Sequence, residues 1–525
     1  MKLKVRILNL DAGGKTIVII NSDDSRELGV HGLERIVLSK DSKKITVIVN
    51  TTDKFVKKGE IAVYNEVKEL MKLRDGDVLN AVVRPELESK NYINKKINGE
   101  ELKENEIRTI IDDVMERNLN DLELAAMITA CYIHGLTINE NISFAKAMIK
   151  TSGEVIKFPG IVVDKHSCGG IPGDKTTILV VPIVAAAGLT IPKTSSRAIT
   201  DPAGTADRVE IFAPVDIPPK KIREVVKKTK GCMVWGGALK LAPADDLLIQ
   251  IEKPLSLDPL IIPSVLAKKK VVGSKYVVID IPTGPEAKVR NRQEAEKLAE
   301  KFISVGKSLG MTVECAVTKA NQPLGMSIGP ALEAHEALEA LMNPKHADRD
   351  LIDKATSIAG IIFTLVGREA KTPMRHLKIA SAIDGKKTAE KILFSGKAEK
   401  KFREIVAAQG GNPNVLPKNI GLDKAIKYSV KSQQAGVISY ISNRALVRIA
   451  KLAGAPKDRL GGMLLRKKIG DRVAKGDIIY IIHAEHNEKM KQAVKASQEN
   501  NGYTVLTKKG KMVVEEINKG VKRYE

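Results

Sequence analysis

The sequence predicts a multidomain α/β protein: a helical domain and an α/β domain with a largely parallel sheet, flanked by small N- and C-terminal β-rich domains. Three changes in hydrophobic period predict it. Near the N-terminus apolar residues alternate in steps of two, as in Leu3-Lys4-Val5-Arg6-Ile7 and Ile45-Thr46-Val47-Ile48-Val49, with turns at Gly13-Gly14 and Asp75-Gly76-Asp77. That is the signature of half-buried strands. From Glu86 the period becomes helical, and Ile107, Ile110, Ile111 and Val114 mark one apolar face. Apolar strand-like runs then alternate with helix-like runs to about residue 430, the pattern of a parallel sheet with crossover helices.

These transitions place an N-terminal β-barrel-like domain at 1–86 and a helical domain at 87–160 that also takes part of 235–275. An α/β domain follows at 161–432, and a C-terminal α+β domain with barrel-sandwich-like strands at 433–525. The cleft between the helical and α/β domains is where a substrate is expected. Near the two ends, Phe55–Ile61 and Arg472–Ile478 share one hairpin pattern. The second resembles half of a lipoyl/biotinyl-type barrel, but Lys489-Met490-Lys491 lies in a helix-like polar stretch, which speaks against a carrier role.

Composition narrows the functional classes. The longest apolar run, Ile178–Leu189, is shorter than the ~18 residues needed to span a bilayer and contains Pro182. With no signal-peptide pattern, the expectation is a cytoplasmic protein with no membrane partner. Cys131, Cys168, Cys232 and Cys315 are widely separated, which suggests free thiols and no zinc site. The formal charge of +23 raises the question of nucleic acid. However, the lysines are dispersed and only 3% of residues are aromatic, so few side chains could stack on bases. A basic surface that draws in small anions explains the charge as well.

Two loops carry the chemistry. The first, Lys165-His166-Ser167-Cys168-Gly169-Gly170-Ile171-Pro172-Gly173-Asp174-Lys175-Thr176-Thr177, follows a buried strand-like run and precedes a helix-like one. Main-chain N–H groups of such a turn, with a helix N-terminus behind them, make an anion site. Gly169 to Lys175-Thr176 nearly fits the P-loop pattern, but Asp174 stands where the second glycine belongs. Asp174 reads instead as the N-cap of a helix Lys175–Leu189. Lys165, Ser167 and Thr177 then offer an ammonium and two hydroxyls to a phosphate. A tight turn without a ligand would use the same glycines.

The second loop, Ser195-Ser196-Arg197-Ala198-Ile199-Thr200-Asp201-Pro202-Ala203-Gly204-Thr205, favours the ligand reading. Ser195, Ser196 and Thr200 are donors, and Arg197 can grip an oxyanion with two parallel bonds. Thr205 is placed to cap the next helix. Two such loops suggest a substrate with two anionic ends, or one anion and a sugar.

Ser195-Ser196-Arg197-Ala198-Ile199, with Gly204-Thr205, Asp207 and Glu210, closely resembles the signature of the thymidine/pyrimidine nucleoside phosphorylase family. Lys165-His166-Ser167 with Gly169-Gly170, Leu241–Asp245, and Asn98-Gly99 with Leu102 and Glu106-Ile107 match further blocks, and the likeness runs from about residue 88 onward. The N-terminal extension, Ser195–Thr200 and Ile279–Gly284 resemble the archaeal branch. That branch cleaves a nucleoside 5′-monophosphate, AMP favoured and CMP and UMP also candidates, with inorganic phosphate. The products are a free base and ribose 1,5-bisphosphate.

The resemblance implies nucleotide contacts at Gly170, at Ser196, Arg197, Ala198, Ile199, Thr200 and Asp201, and at Thr205, Ser264 and Lys288. It implies Asp258 as the proton donor, no metal and no organic cofactor, phosphate as cosubstrate, and a homo-oligomer. A carboxyl acid needs its pKa raised towards neutrality, and Leu255–Ile262 looks apolar enough to do this. Asp258 before Pro259 also reads as a helix cap. His166 ranks below Asp258, as a second donor or a spectator. Ser264 and Lys268 are four apart and share a helix face.

Three departures from the family pattern matter. Glu252-Lys253 occupy the positions of the Arg-Asp pair that reads pyrimidine carbonyls, and a carboxylate cannot donate to a carbonyl. Asp201 stands where archaeal members usually carry a small hydroxyl residue. The stretch from Asp258 to Ser264 is shorter than usual. The runner-up activity is a pyrimidine nucleoside phosphorylase. A phosphoribosyltransferase would need a metal-bound pyrophosphate site, and no acidic cluster suggests one.

Overall fold

In the computed structural model the described residues are 1–84, 86–152, 158–198, 201–239, 241–369, 382–506, 516–518 and 521–523. The chain divides into two compact units, Met1–Ala147 with Pro243–Pro259, and Met148–Ala242 with Leu260–Glu525.

The first unit begins with six strands: β1 (Lys2–Ile7), β2 (Ile17–Asn21), β3 (Arg35–Lys40), β4 (Lys43–Thr52), β5 (Glu60–Val63) and β6 (Val78–Val83). They close into a barrel in the order β1-β5-β2-β4-β3-β6. Alternate residues fill it: Leu3 and Val5, Val18 and Ile20, Ile36 and Leu38, Val47 and Val49 are buried. The helices Glu88–Ile97, Glu104–Met115 and Asp121–His134 follow, and Pro243–Leu255 packs on the second and third of them. Ile107, Ile110, Ile111 and Val114 form the buried stripe of Glu104–Met115. A buried ion pair ties this bundle together. Lys96 Nζ lies 2.7 Å from Glu140 Oε1, and Glu140 also accepts the Leu102 and Thr137 main-chain N–H groups. Each buried charge is therefore paired and hydrogen-bonded, the condition for its burial.

The second unit is built on β7 (Val163–Ser167), β8 (Ile191–Ser195), β9 (Gly231–Trp235), β10 (Tyr276–Thr283) and β11 (Thr312–Lys319). β10 pairs in parallel with β7 and β11, β8 with β9, and a parallel bridge between Val162 and Thr190 links the two pieces. The β8, β9 and β10 strands are buried on both faces; β9 and β10 read as near-continuous apolar runs, whereas β8 carries the buried Lys193 and Thr194. The helix Thr176–Ala186 is buried from Thr176 to Ala185, Pro182 included, against the helices Arg349–Glu369 and Lys397–Ala408. Its first residue is Thr176, one later than the sequence suggested.

Beyond residue 425 the sheets are antiparallel. One joins Ser327–Ile328, Gly462–Leu465, Ile478–Ala484 and Ile426–Lys431; another joins Arg472–Val473, Gly436–Ile441 and Tyr503–Leu506. Lys489 lies in the helix Asn487–Glu499 and its ammonium is 2.7 Å from Asp458.

Candidate active site

The alternation of β7 sorts its side chains into two environments. Lys165 and Ser167 share one face, and Asp164 and His166 take the other. On β10, Val278 and Asp280 stand opposite Lys165 and Ser167. Past Ser167 the chain turns sharply, with Cys168 N–H donating to the Asp280 carbonyl at 2.9 Å. Gly170 (φ +92°) and Gly173 (φ +81°) adopt left-handed backbone that other residues enter at a cost. Both also allow close approach. A Cβ on Gly170 would lie 2.8 Å from the Lys288 nitrogen, and one on Gly173 would lie 2.6 Å from the Leu324 oxygen. The turn delivers the chain to Thr176 and Thr177 in the first turn of the helix. Lys165 and Ser167 end β7, Gly170 lies in the turn with the Lys288 main chain against it, and Thr177 lies in the first turn of the helix.

Lys165 is 2% exposed, and its ammonium makes no hydrogen bond or ion pair among the described residues. Burial lowers its pKa, and Asp174 and Asp280 oppose that shift. Both carboxylates are already engaged. Lys354 Nζ is 2.8 Å from Asp280 Oδ2 and 3.3 Å from Asp174 Oδ2. Asp280 also accepts the Thr318 hydroxyl at 2.6 Å, and Asp174 the Thr176 N–H at 3.1 Å. Burial would raise the Asp174 pKa, but Lys354 and Lys165 outweigh it and hold the carboxyl well below its usual range. Asp174 is therefore an anion that serves the helix start from one residue before the N-cap position, which Lys175 occupies. Lys175, the residue a P-loop would aim at phosphate, instead donates to the Leu324 carbonyl and pairs with Glu336, both at 2.8 Å.

The other face of β7 is also cationic. Asp164 Oδ2 lies 2.8 Å from Lys269 Nζ, and Oδ1 lies 3.8 Å from Lys193 Nζ. Burial, then Lys269, Lys193, Lys268 and Lys165, push the His166 pKa well below its ordinary value. The ring is neutral at neutral pH and has no spare proton to give as an imidazolium. Lys268 Nζ reaches Ser264 Oγ at 3.3 Å along the helix Ile261–Val271.

The second loop departs from its sequence reading in two ways. Arg197 does make a parallel pair of bonds, but to Glu210: NH1 to Oε2 at 2.7 Å and NH2 to Oε1 at 2.8 Å. It also contacts Asp207 at 3.2 Å and lies over the Trp235 ring. The expected oxyanion fork is occupied by the protein's own carboxylate. Secondly, Thr205 is the first helical residue and not the cap. Gly204 holds the cap position, and Asp207 Oδ2 accepts the N–H groups of Gly204 (2.8 Å) and Ala198 (2.7 Å). Ser196 contributes its carbonyl to Ala206 N–H at 3.2 Å. Ile199 and Thr200 lie outside the described residues.

Burial raises the Asp201 pKa, while Arg208, Lys288 and Lys451 pull it back. Arg208 itself is held by Glu333 at 2.5 Å and by the Ala203 carbonyl at 2.8 Å. Ser195, at the end of β8, has a buried hydroxyl with no hydrogen-bond partner among the described residues. It is a further donor, beyond the ligands that the family resemblance implied.

Asp258 belongs to the first unit, just after the helix Pro243–Leu255, whereas Ser264 and Lys288 belong to the second. Its apolar enclosure is partial: Asp258 is half-buried and Leu255 exposed. Glu252 is 5% exposed within the first unit and acts on Cys131 together with Lys96 and Glu140. Burial pushes the Cys131 thiol up to about 12, so it is inert. Sequence reasoning named Asp207 and Asp280 only within family motifs, with no role of their own, and passed over Lys354. Asp280 had a signal, a lone charge inside an apolar strand; Lys354 had none in its local pattern.

Residues 90–152 match the helical bundle domain of a glycosyl transferase family, and residues 159–399 match its a/b domain. Residues 437–504 match the pyrimidine nucleoside phosphorylase C-terminal domain. The AMP phosphorylase of Methanococcus vannielii is 43% identical over 494 residues, 94% of this chain and 95% of that protein. That of Thermococcus kodakarensis is 44% identical over 497 residues, covering 94% and 96%. The crystal structure of anthranilate phosphoribosyltransferase from Thermus thermophilus shares the fold, with a TM-score of 0.50 at 18% identity over 60% of this chain and 98% of that one.

Proposed function

The chain belongs to the AMP phosphorylase family, and from that premise we infer that it is a pentosyltransferase that cleaves AMP with inorganic phosphate, releasing adenine and ribose 1,5-bisphosphate. The structural observation that carries this reading is the Lys165 ammonium, buried and without a partner among the described residues. A buried charge is costly unless an opposite charge meets it, and phosphate supplies one.

In this reading phosphate lies on Lys165, Ser167 and Thr177 at the start of the helix Thr176–Ala186, with the Ser195 hydroxyl as a fourth donor. Gly170, Ser196, Ala198, Ile199, Thr200, Asp201, Thr205, Ser264 and Lys288 hold the nucleotide. Arg197 shapes the second loop through Glu210 and Asp207 and does not grip the 5′-phosphate. A phosphate oxygen attacks the anomeric carbon and the bond to the base breaks. The electron pair leaves with adenine, and the Asp258 carboxyl supplies the proton that a ring nitrogen takes up. No step requires a metal or an organic cofactor.

A homo-oligomer belongs to the same proposal. Leu122, Tyr132 and Ile133 on the helix Asp121–His134 are 81%, 59% and 68% exposed, which supports it. No helix among the described residues is long and apolar enough to cross a membrane.

The test is to incubate the protein with AMP, CMP, UMP, adenosine and thymidine, with and without phosphate, and measure free base. Phosphate-dependent adenine release from AMP but not adenosine is expected. Release from the nucleosides alone would overturn the reading in favour of a nucleoside phosphorylase.

A further inference from the structure

We propose that Lys354 is a positioning residue for the phosphate cosubstrate: by pairing with Asp174 and Asp280 it keeps both carboxylates off Lys165, whose ammonium stays free to meet phosphate. This rests on the phosphorolysis reading above.

Lys354 projects from the helix Arg349–Glu369 and is 7% exposed. Its Nζ lies between the two acids, 2.8 Å from Asp280 Oδ2 and 3.3 Å from Asp174 Oδ2. The same two acids are the anions that act on Lys165. Each acid also accepts hydrogen bonds within the loop or strand. Asp174 accepts the N–H and the hydroxyl of Thr176 where the helix begins. Asp280 accepts the Thr318 hydroxyl on its side chain, and its carbonyl receives Cys168 N–H from the glycine turn. The loop therefore needs two buried carboxylates beside the spot where a dianion has to bind.

Without a second cation, Lys165 would be the nearest partner for both acids. An internal ion pair would then compete with phosphate, and the remaining carboxylate would repel it. In a poorly solvated setting such a charge is weakly screened, so the competition is strong. Arg208 cannot take over, because Glu333 and the Ala203 carbonyl already hold it. Lys354 neutralises the acids from the helix Arg349–Glu369.

The test uses the full chain with inorganic phosphate as probe. Lys354→Met should raise KM for phosphate by about tenfold or more while KM for AMP moves less than about twofold. Lys354→Arg should return the phosphate KM towards wild type. Adding Asp174→Asn to Lys354→Met should recover part of the loss, because it removes the competitor for Lys165. A purely structural lysine would not behave in this way. Stabilisation of the protein by phosphate in thermal melts gives a second readout that is independent of turnover. Wild type should be stabilised and Lys354→Met much less so. An unchanged phosphate KM and an unchanged melt shift in Lys354→Met would overturn the proposal and leave the activity standing. Equal rises in both KM values with no recovery in the double variant would also overturn it. If wild type releases no adenine from AMP, the activity reading fails, and the melts still decide the role of Lys354.

Discussion

Gly170 touches the main chain of Lys288: a Cβ built on the glycine would lie 2.8 Å from the Lys288 nitrogen. The turn after β7 and the loop after β10 are thus packed backbone to backbone, which joins the turn that follows Lys165 and Ser167 to a nucleotide-side residue. Gly170→Ala forces the two apart and adds the strain of a left-handed alanine, of order 1–3 kcal/mol. We expect a lower melting temperature and a rise in KM for both phosphate and AMP. A change confined to one substrate would show that the two loops move independently.

The Arg197–Glu210 pair predicts a phenotype unlike that of an anion ligand. Arg197→Lys should not rescue Arg197→Ala, because the two parallel bonds to Glu210 need a planar fork. Glu210→Gln should weaken AMP use in the same direction as Arg197→Ala, since each breaks the same pair. A direct 5′-phosphate ligand would behave otherwise. Losing it would erase discrimination between AMP and adenosine, while Glu210→Gln would preserve that discrimination. Kinetics of the three variants on both substrates separate these outcomes.

Asp201 makes a prediction about pH. Burial raises its pKa above the unfolded value, with Arg208, Lys288 and Lys451 opposing. The folded chain therefore holds this proton more tightly than the unfolded one. The stability it contributes is complete below the ordinary carboxylate range and is lost as pH rises through the raised folded value. Asp201→Ser removes that loss, so its melting temperature should gain on wild type as pH rises above the ordinary carboxylate range. KM for AMP should fall in the same interval as a carboxylate beside an anionic substrate disappears. Parallel melting curves for the two proteins would rule out a raised Asp201.

Most of the architecture was legible because it rests on period and punctuation. β9 and β10 are largely apolar runs, and the helix Glu104–Met115 carries a clear stripe. The glycine turns were equally visible, since Gly170 and Gly173 sit at positive φ where few residues can follow. Partner choice was not legible. Arg197 has the chemistry of an anion ligand, and only three dimensions show that Glu210 has claimed it. Thr205 has the chemistry of a cap, yet Asp207 does that work from the third helical position. Asp174 and Lys354 are 180 residues apart, and no local pattern pairs them. Sequence shows which groups are able to bind; packing decides which of them are still unoccupied.

His166 and Asp258 present opposite cases for the proton. His166 sits among Lys269, Lys193, Lys268 and Lys165, and burial with these charges keeps its ring neutral. It would have to lose a proton from an uncharged imidazole to act as the acid, which is far harder than from a carboxyl. Asp258 is a carboxyl in a half-buried position. We therefore expect Asp258→Asn to lower kcat by about 10²–10⁴-fold, the usual worth of a positioned acid, with AMP affinity largely kept. His166→Asn should instead leave kcat largely intact, because the neutral ring is not the acid. The kcat ratio to wild type distinguishes them: the large loss should belong to Asp258→Asn alone. Full turnover in Asp258→Asn would move the proton donor elsewhere.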